Sequence, residues 1–432
     1  MARDVHIRSN YVTRVEGHGN IVLNTKNGEI EEIKFEIVEA PRFYEAMLRG
    51  RKWYEAADIT CRICGICSWG HTTASLNAIE NCFGITPSEQ TIKLRQLGFN
   101  AEQLQSHYLH ILYLVAPDLL GVGSVIPLAE THPEIVKLAL RVKRLANDIL
   151  CTIGGRHIHP VACKVNGFSH LPTVKELRSL QERLIASRED LRAIVDLLKT
   201  LRLPDFWRET EYISLTDHGQ EYAYIRGDVK SSDGWRRPVS EYRDWLQEWV
   251  VDHSTAKHAK ASRNAYMVGA LARFNNNYEA LCPQAKAVAE ELGLKPINCN
   301  PFMNNIAQIV ECVHCTEHSI QLIDELLEMG LKPEDGHKNV KVRAGTGVGA
   351  ADVPRGILFH EYTVAADGTI TGANLVIPTG QNYANIEADM RAFVPQILDR
   401  PEAEIKLLLE MLVRAYDPCI SCSVHLLDVK FV

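Results

Sequence analysis

The sequence predicts an α+β fold, predominantly helical, gathered into one large body. It carries a β-hairpin near the N-terminus and a second small β unit near residues 356–378. Three observations carry that expectation. Capping-box spacings open long helical runs, Asn-Gly and Asp-Gly dipeptides separate two pairs of β-rich stretches, and no Gly/Ser linker, low-complexity tract or internal repeat divides the chain. Residues 1–432 are accordingly read as a single domain.

Residues 21–23 and the alternating Ile33, Phe35 and Ile37 flank Asn27-Gly28, a dipeptide that accepts the positive φ angles of a tight hairpin. Thr86-Pro87-Ser88-Glu89 offers an N-cap, a proline at the first helical position and a capping glutamate, so a helix is expected from there toward Val115. Thr173 and Glu176 repeat the spacing before a segment that runs through Leu201. Further helical runs are expected at 134–150, 277–293, 302–329, 382–397 and 402–416. In the second β unit, Asp367-Gly368 separates 357–364 from 369–377. Gly345-Thr-Gly347-Val-Gly349 lacks the full spacing of a phosphate-cradling loop and reads as a turn. The polar stretches near 226–238 and 330–340 are the weakest connections, and neither marks a domain boundary.

Composition narrows the function. With 46% hydrophobic and 23% charged residues, the chain has ample material for a core, which excludes a disordered or fibrous protein. Forty-seven basic against 54 acidic residues leave a net charge of −7 and no basic stripe, so no nucleic-acid partner is expected. No apolar run approaches the roughly 18 residues that span a bilayer. The start, Met-Ala-Arg-Asp-Val-His-Ile-Arg, lacks the regions of a secretory signal, and a cytoplasmic location is the expectation.

In a reducing compartment, clustered cysteines point to metal or redox chemistry rather than disulfides. Of twelve cysteines, Cys61, Cys64 and Cys67 fall within seven residues, and Cys419 and Cys422 stand near the C-terminus. Cys61-Arg-Ile-Cys64 and Cys419-Ile-Ser-Cys422 are C-x-x-C pairs, a spacing that turns both sulfurs toward one point. Four thiolates suit zinc, an iron–sulfur cluster or another soft-ligand metal. Zinc ribbons space their pairs by roughly 15–20 residues, far less than the separation here. A site built from both ends would therefore be buried and central, and two unrelated pairs are the competing reading. A helix from Gly65 to Asn81 would align Cys64, Cys67 and His71 on one face, and His425 follows Cys422 by three residues. Either histidine, taken singly, reads as a packing residue. Cys312 and Cys315, one face of an expected helix, read as core, as do the scattered Cys82, Cys151, Cys163, Cys282 and Cys299.

Taken together, these segments resemble the large, catalytic subunit of nickel–iron hydrogenases. The motifs that carry the resemblance run nearly end to end: Arg14-Val-Glu16-Gly-His18, Cys61-Arg-Ile-Cys64-Gly-Ile-Cys67 with His71, Gly154-Gly-Arg-His-Ile-His-Pro160, Tyr266-Met-Val-Gly269 through Asn275, Pro354-Arg355-Gly356, Val376-Ile-Pro378-Thr379, and Asp417-Pro-Cys419-Ile-Ser-Cys422-Ser-Val-His425. The resemblance implies a hydrogenase large-subunit fold and reversible heterolytic cleavage of dihydrogen. It implies a nickel–iron centre whose iron carries carbon monoxide and cyanide. Cys61 and Cys419 would be terminal nickel ligands, Cys64 and Cys422 the bridging pair, and His71 a residue of the cofactor site. The proton would pass first to the Cys419 thiolate and then to Glu16, with a structural partnership between Glu16 and Arg14 as the plainer alternative. Arg355, too basic to act as a free base, would favour the electron-rich centre electrostatically. Pro378 and Thr379 would line the diatomic pocket, with Thr379 donating its hydroxyl.

The resemblance also implies a second site of Glu45, His425 and the Leu375 carbonyl, suited to magnesium or iron. Asp352 stands where the family usually has glutamate, and it is left out of the core site. Eight cysteines remain without a ferredoxin-like run, so an iron–sulfur small subunit is the implied partner, with flavin or heterodisulfide-reducing electron-transfer subunits beyond it. Many family members carry an extension that is removed after this histidine; here seven residues follow His425. A gas-sensing homologue, a complex I-like quinone-reducing subunit without nickel, and a structural four-cysteine zinc protein are the rival readings.

Overall fold

The computed structural model describes residues 3–425; the seven residues after His425 lie outside them. The N-terminal sheet is a three-stranded antiparallel meander of Val5–Ser9, Gly19–Lys26 and Glu29–Ile37, one strand more than the expected hairpin. Its turn is Asn27-Gly28, with φ of 52° and 82°, as the dipeptide's tolerance of positive φ predicts.

The helical framework surrounds Glu89–Leu109, which packs on Pro133–Gly154 and on Asn304–Met329, while Val174–Thr200 packs on both of those helices. Thr173 and Glu176 form the capping box expected of them. The earlier cap falls two residues later than expected: Ser88, not Thr86, accepts the Thr91 N–H at 3.1 Å. Pro87 therefore precedes the N-cap. That helix continues as a π-helical segment, His110–Val115, before Pro117. The run expected at 277–293 is divided, Ala270–Asn277 ending before Pro283 opens Pro283–Glu291.

The second β unit is likewise three-stranded, Gly345–Val353, Gly356–Val364 and Ile370–Val376 in antiparallel order. The Gly345–Gly349 segment is thus strand, not turn. Its glycines serve close approach to the helix Ser68–Phe83: a Cβ on Gly347 would stand 2.1 Å from the Ala78 carbonyl oxygen, and one on Gly349 2.2 Å from that of Ala74. Sequence pattern also missed a four-stranded sheet containing Glu211–Thr216, Asp228–Ser231, Arg236–Arg237 and Tyr266–Met267, and the hairpin Gln247–Val251/Ser254–Lys260. The 226–238 stretch, read as a weak connection, supplies two of those strands. Cys312 and Cys315 are fully buried, as core residues should be, whereas Cys151 is exposed and Cys82 and Cys282 are half-buried. Among the described residues, no helix is long and apolar enough to cross a membrane.

Candidate metal centre

The chain enters the site through a short 3-10 turn, Cys61–Ile63, after which Cys64 is extended at φ −144° and ψ 140°. Gly65-Ile66 then reverses the backbone, and the Ile66 and Cys67 N–H groups donate to Cys64 Sγ at 3.2 and 3.3 Å. Cys67 caps the helix Ser68–Phe83, so the helix begins after both cysteines rather than at Gly65.

From the other end, the Ile420 N–H donates to the Glu16 carbonyl at 2.9 Å, in a parallel bridge that lays Asp417–Ser421 beside the Arg14-Val-Glu16 segment. Cys64 and Cys419 sulfurs approach to 3.5 Å and those of Cys67 and Cys422 to 3.9 Å. The Cys419 and Cys422 sulfurs are in direct contact. All four lie within 4.8 Å of one another and are buried.

Cys61 is not one of them. Its thiol points back onto the preceding helix Ala56–Thr60, which Cys61 caps, and donates to the Asp58 carbonyl at 3.3 Å. The expected quartet of Cys61, Cys64, Cys419 and Cys422 is corrected to Cys64, Cys67, Cys419 and Cys422. The signal was present: Cys64-Gly-Ile-Cys67 is itself a C-x-x-C pair.

Glu16 Oε2 accepts from the Ser421 N–H at 3.0 Å and lies 3.2 Å from Cys419 Sγ. Arg14 is committed elsewhere, to the Leu114 carbonyl and to Asp118, so the Arg14–Glu16 partnership is not formed. Arg355 is 3% exposed and its guanidinium donates to the Asp417 carbonyl (2.6 Å), the Asp417 carboxylate (2.7 Å) and Ser106 (3.2 Å). Gln308 holds the second Asp417 oxygen at 3.0 Å, fixing a residue whose φ is +50°. Pro378 and Thr379 open the helix Pro378–Ile397, and Thr379 Oγ1 accepts the Cys419 N–H at 3.0 Å, leaving its own hydrogen free to donate.

His71 pairs with His360 (Nδ1 to Nε2, 3.2 Å), and burial pushes its pKa down to about 3, so the ring is neutral. Glu45 and His425 meet at 2.6 Å, both buried, and Glu45 Oε2 has no hydrogen-bond partner. Leu375 is fully buried on a strand against which Glu45's short helix, Tyr44–Leu48, packs.

Three contributors escaped the sequence reading. Arg42 donates to the carbonyls of Ile63 and Ser421, clamping the two motif loops together. His159, in the motif ending at Pro160, bonds the Cys61 carbonyl at 2.8 Å. Glu102, pushed well above the usual carboxyl range by burial, accepts the Trp69 and Gly70 N–H groups at 2.6 and 2.9 Å and so caps the helix that follows Cys67.

The profile of the nickel-dependent hydrogenases matches residues 42–137 and 222–425, taking in both C-x-x-C loops. The chain belongs to the nickel-dependent hydrogenase family. It is similar to the alpha subunit of sulfhydrogenase 1 from Pyrococcus furiosus, 34% identical over 97% of each chain. It is also similar to a chain of the vhc F420-non-reducing hydrogenase from Methanococcus voltae, 29% identical over 96% of this chain and 94% of that one. Its fold matches a solved NAD+-reducing [NiFe]-hydrogenase in the H2-reduced state with a TM-score of 0.88, at 26% identity over 98% and 99% of the two chains. This hydrogenase chain is the large, catalytic subunit, and it is an oxidoreductase acting on dihydrogen.

The residues present fit a hydrogenase's metals. Four convergent buried sulfurs are a soft donor set suited to nickel and iron. The unpartnered Glu45 oxygen beside His425 is the kind of buried acceptor a cation satisfies.

Proposed function

We propose that Cys64, Cys67, Cys419 and Cys422 hold the nickel–iron centre of this hydrogenase, and that Cys419 and Glu16 form the first two stations of its proton path. The roles expected of Cys61 and Cys64 pass to Cys64 and Cys67. In this assignment Cys64 and Cys419 would hold nickel, and Cys67 and Cys422 would hold nickel together with an iron that carries carbon monoxide and cyanide. When bound, the centre supplies the Lewis acidity that polarises dihydrogen, a molecule without charge that side chains alone cannot grip.

The single observation that carries the reading is the meeting of Cys419 Sγ and Glu16 Oε2 at 3.2 Å on the edge of the four-sulfur group. A metal-bound thiol is deprotonated, so the Cys419 sulfur is a ready proton acceptor. Glu16 is half-buried, within direct reach, and oriented by the Ser421 N–H, so the carboxylate can take that proton without rearranging.

Arg355, locked by Asp417, places a fixed positive charge beside the sulfurs and stabilises a negatively charged centre without itself titrating. Pro378 and Thr379 would line the pocket of the diatomic ligands, where the Thr379 hydroxyl, already accepting the Cys419 N–H, would have its hydrogen to donate. His71 is held neutral by burial and paired with His360. Glu45 and His425, with the Leu375 carbonyl, take a second cation, magnesium or iron.

Electrons leave one at a time, and the remaining cysteines form no cluster motif. An iron–sulfur small subunit is therefore the partner, passing electrons on to flavin or heterodisulfide-reducing subunits. Infrared spectroscopy with metal analysis on the co-purified complex tests the assignment. Nickel and iron with the bands of bound carbon monoxide and cyanide support it, and zinc without those bands overturns it.

A further inference from the structure

A second ligand constellation lies on the hairpin that sequence pattern missed. His253 sits in its turn, His258 on the strand Ser254–Lys260, and Glu387 midway along the helix Pro378–Ile397 beneath it. One ligand atom from each lies within 4.8 Å of the others, and the group shares no residue with the four-sulfur site.

Three observations single the cluster out. His258 is 3% exposed, yet neither of its ring nitrogens has a hydrogen-bond partner. A buried imidazole left so costs roughly 1–3 kcal/mol unless something else satisfies it. Its Nε2 stands 3.4 Å from Glu387 Oε2, out of line for a hydrogen bond. Two ligands at about 2.1 Å from a tetrahedral zinc ion stand roughly 3.4 Å apart, so that spacing fits two donors sharing a metal.

His253 Nε2 and Glu387 Oε1 are hydrogen-bonded at 2.7 Å, closer than two zinc ligands stand, so an entering ion would replace that bond. Glu387 Oε1 also accepts the Phe35 N–H at 3.0 Å, which fixes the carboxylate between the N-terminal sheet and the hairpin. His258 packs against the Tyr383 and Trp249 rings, centroids 5.9 and 5.7 Å away, which restrict its rotation. The nearby cations are neutralised by other partners, Lys34 by Glu32 at 2.6 Å and Lys257 by Glu248 at 2.5 Å. His253 keeps its side chain 19% exposed, giving an ion a way in.

We propose that His253, His258 and Glu387 bind a divalent metal ion, with zinc the preferred ion and water completing the tetrahedron. Two imidazoles and a carboxylate suit borderline zinc better than the hard magnesium ion, which prefers oxygen. The site would fasten the hairpin to the helix that carries Thr379 and to the strand Glu29–Ile37, tying three separate segments together.

The probe is Zn2+ alone, added to the purified, chelator-washed hydrogenase complex, with bound zinc counted after desalting and its ligands read by X-ray absorption. One equivalent per catalytic chain is expected, with two imidazole nitrogens in its shell and a raised thermal midpoint. His253→Ala and His253→Asn are each expected to weaken zinc binding at least tenfold while nickel content and dihydrogen uptake stay at wild-type levels. Nickel content shows that the variants are folded, and the asparagine variant keeps a polar side chain in the turn. No retained zinc in the wild type, or equal zinc in wild type and both variants, overturns the proposal.

Discussion

Glu16 and Cys419 are separated by 403 positions in the chain, yet the carboxylate oxygen and the sulfur stand 3.2 Å apart. The contact is imposed by backbone, since the parallel bridge between the two segments fixes their register before either side chain is placed. Glu16→Gln preserves shape and can still accept the Ser421 N–H, but cannot take up a proton at its amide. Dihydrogen turnover should fall by about 100-fold or more with nickel and iron contents unchanged. Loss of the metals instead would mark Glu16 as a structural residue.

Close packing behind the cysteine loops makes a second expectation. The strand Gly345–Val353 lies so near the helix Ser68–Phe83 that a Cβ at Gly349 meets backbone at 2.2 Å, whereas one at Gly123 meets nothing within 4 Å. Backbone cannot step aside as a flexible side chain can. Gly349→Ala should destabilise the chain by about 3 kcal/mol or more, and Gly123→Ala by little, as read from thermal unfolding of the complex.

Buried histidines set an acid limit. Burial pushes the His314 pKa down to about 3, and its Nδ1 accepts the Cys282 N–H at 3.2 Å, which requires the neutral ring. A depressed histidine contributes stability that is fully present above its unfolded value near 6.5 and is lost as pH falls toward the folded value. Between those limits the loss approaches about 1.4 kcal/mol per pH unit. Denaturant titrations of wild type and His314→Gln from pH 7 to pH 4.5 should show the wild type losing stability faster by roughly that slope. Parallel curves would mean that His314 does not bind a proton on unfolding.

What the sequence made legible was local chemistry. Asn27-Gly28, the Thr173–Glu176 capping box and the buried Cys312–Cys315 face are each decided within a few residues, and each is found as expected. Errors came where distant chain decides. Gly345–Gly349 looks like a turn because glycine is read as punctuation, but these glycines clear space for a helix far away in sequence.

Likewise, Arg273 is fully buried between Glu311 at 2.7 Å and Asp352 at 2.6 Å, with His107 2.7 Å from Glu311. That network answers what Asp352 does: it holds Arg273 and the Leu215 N–H, with burial pushing its pKa up to about 6. No spacing rule connects its members. The cysteine quartet differs from the convergent sulfurs by one residue for a related reason, because two C-x-x-C pairs overlap at Cys64 and only the local chain geometry separates them.

That correction gives the most direct measurement. Nickel per catalytic chain, determined on purified Cys61→Ser and Cys67→Ser complexes, separates the two possible quartets. Convergence of Cys64, Cys67, Cys419 and Cys422 predicts near-wild-type nickel in Cys61→Ser and loss of nickel in Cys67→Ser. Nickel retained without the Cys67 sulfur and lost without that of Cys61 would contradict it.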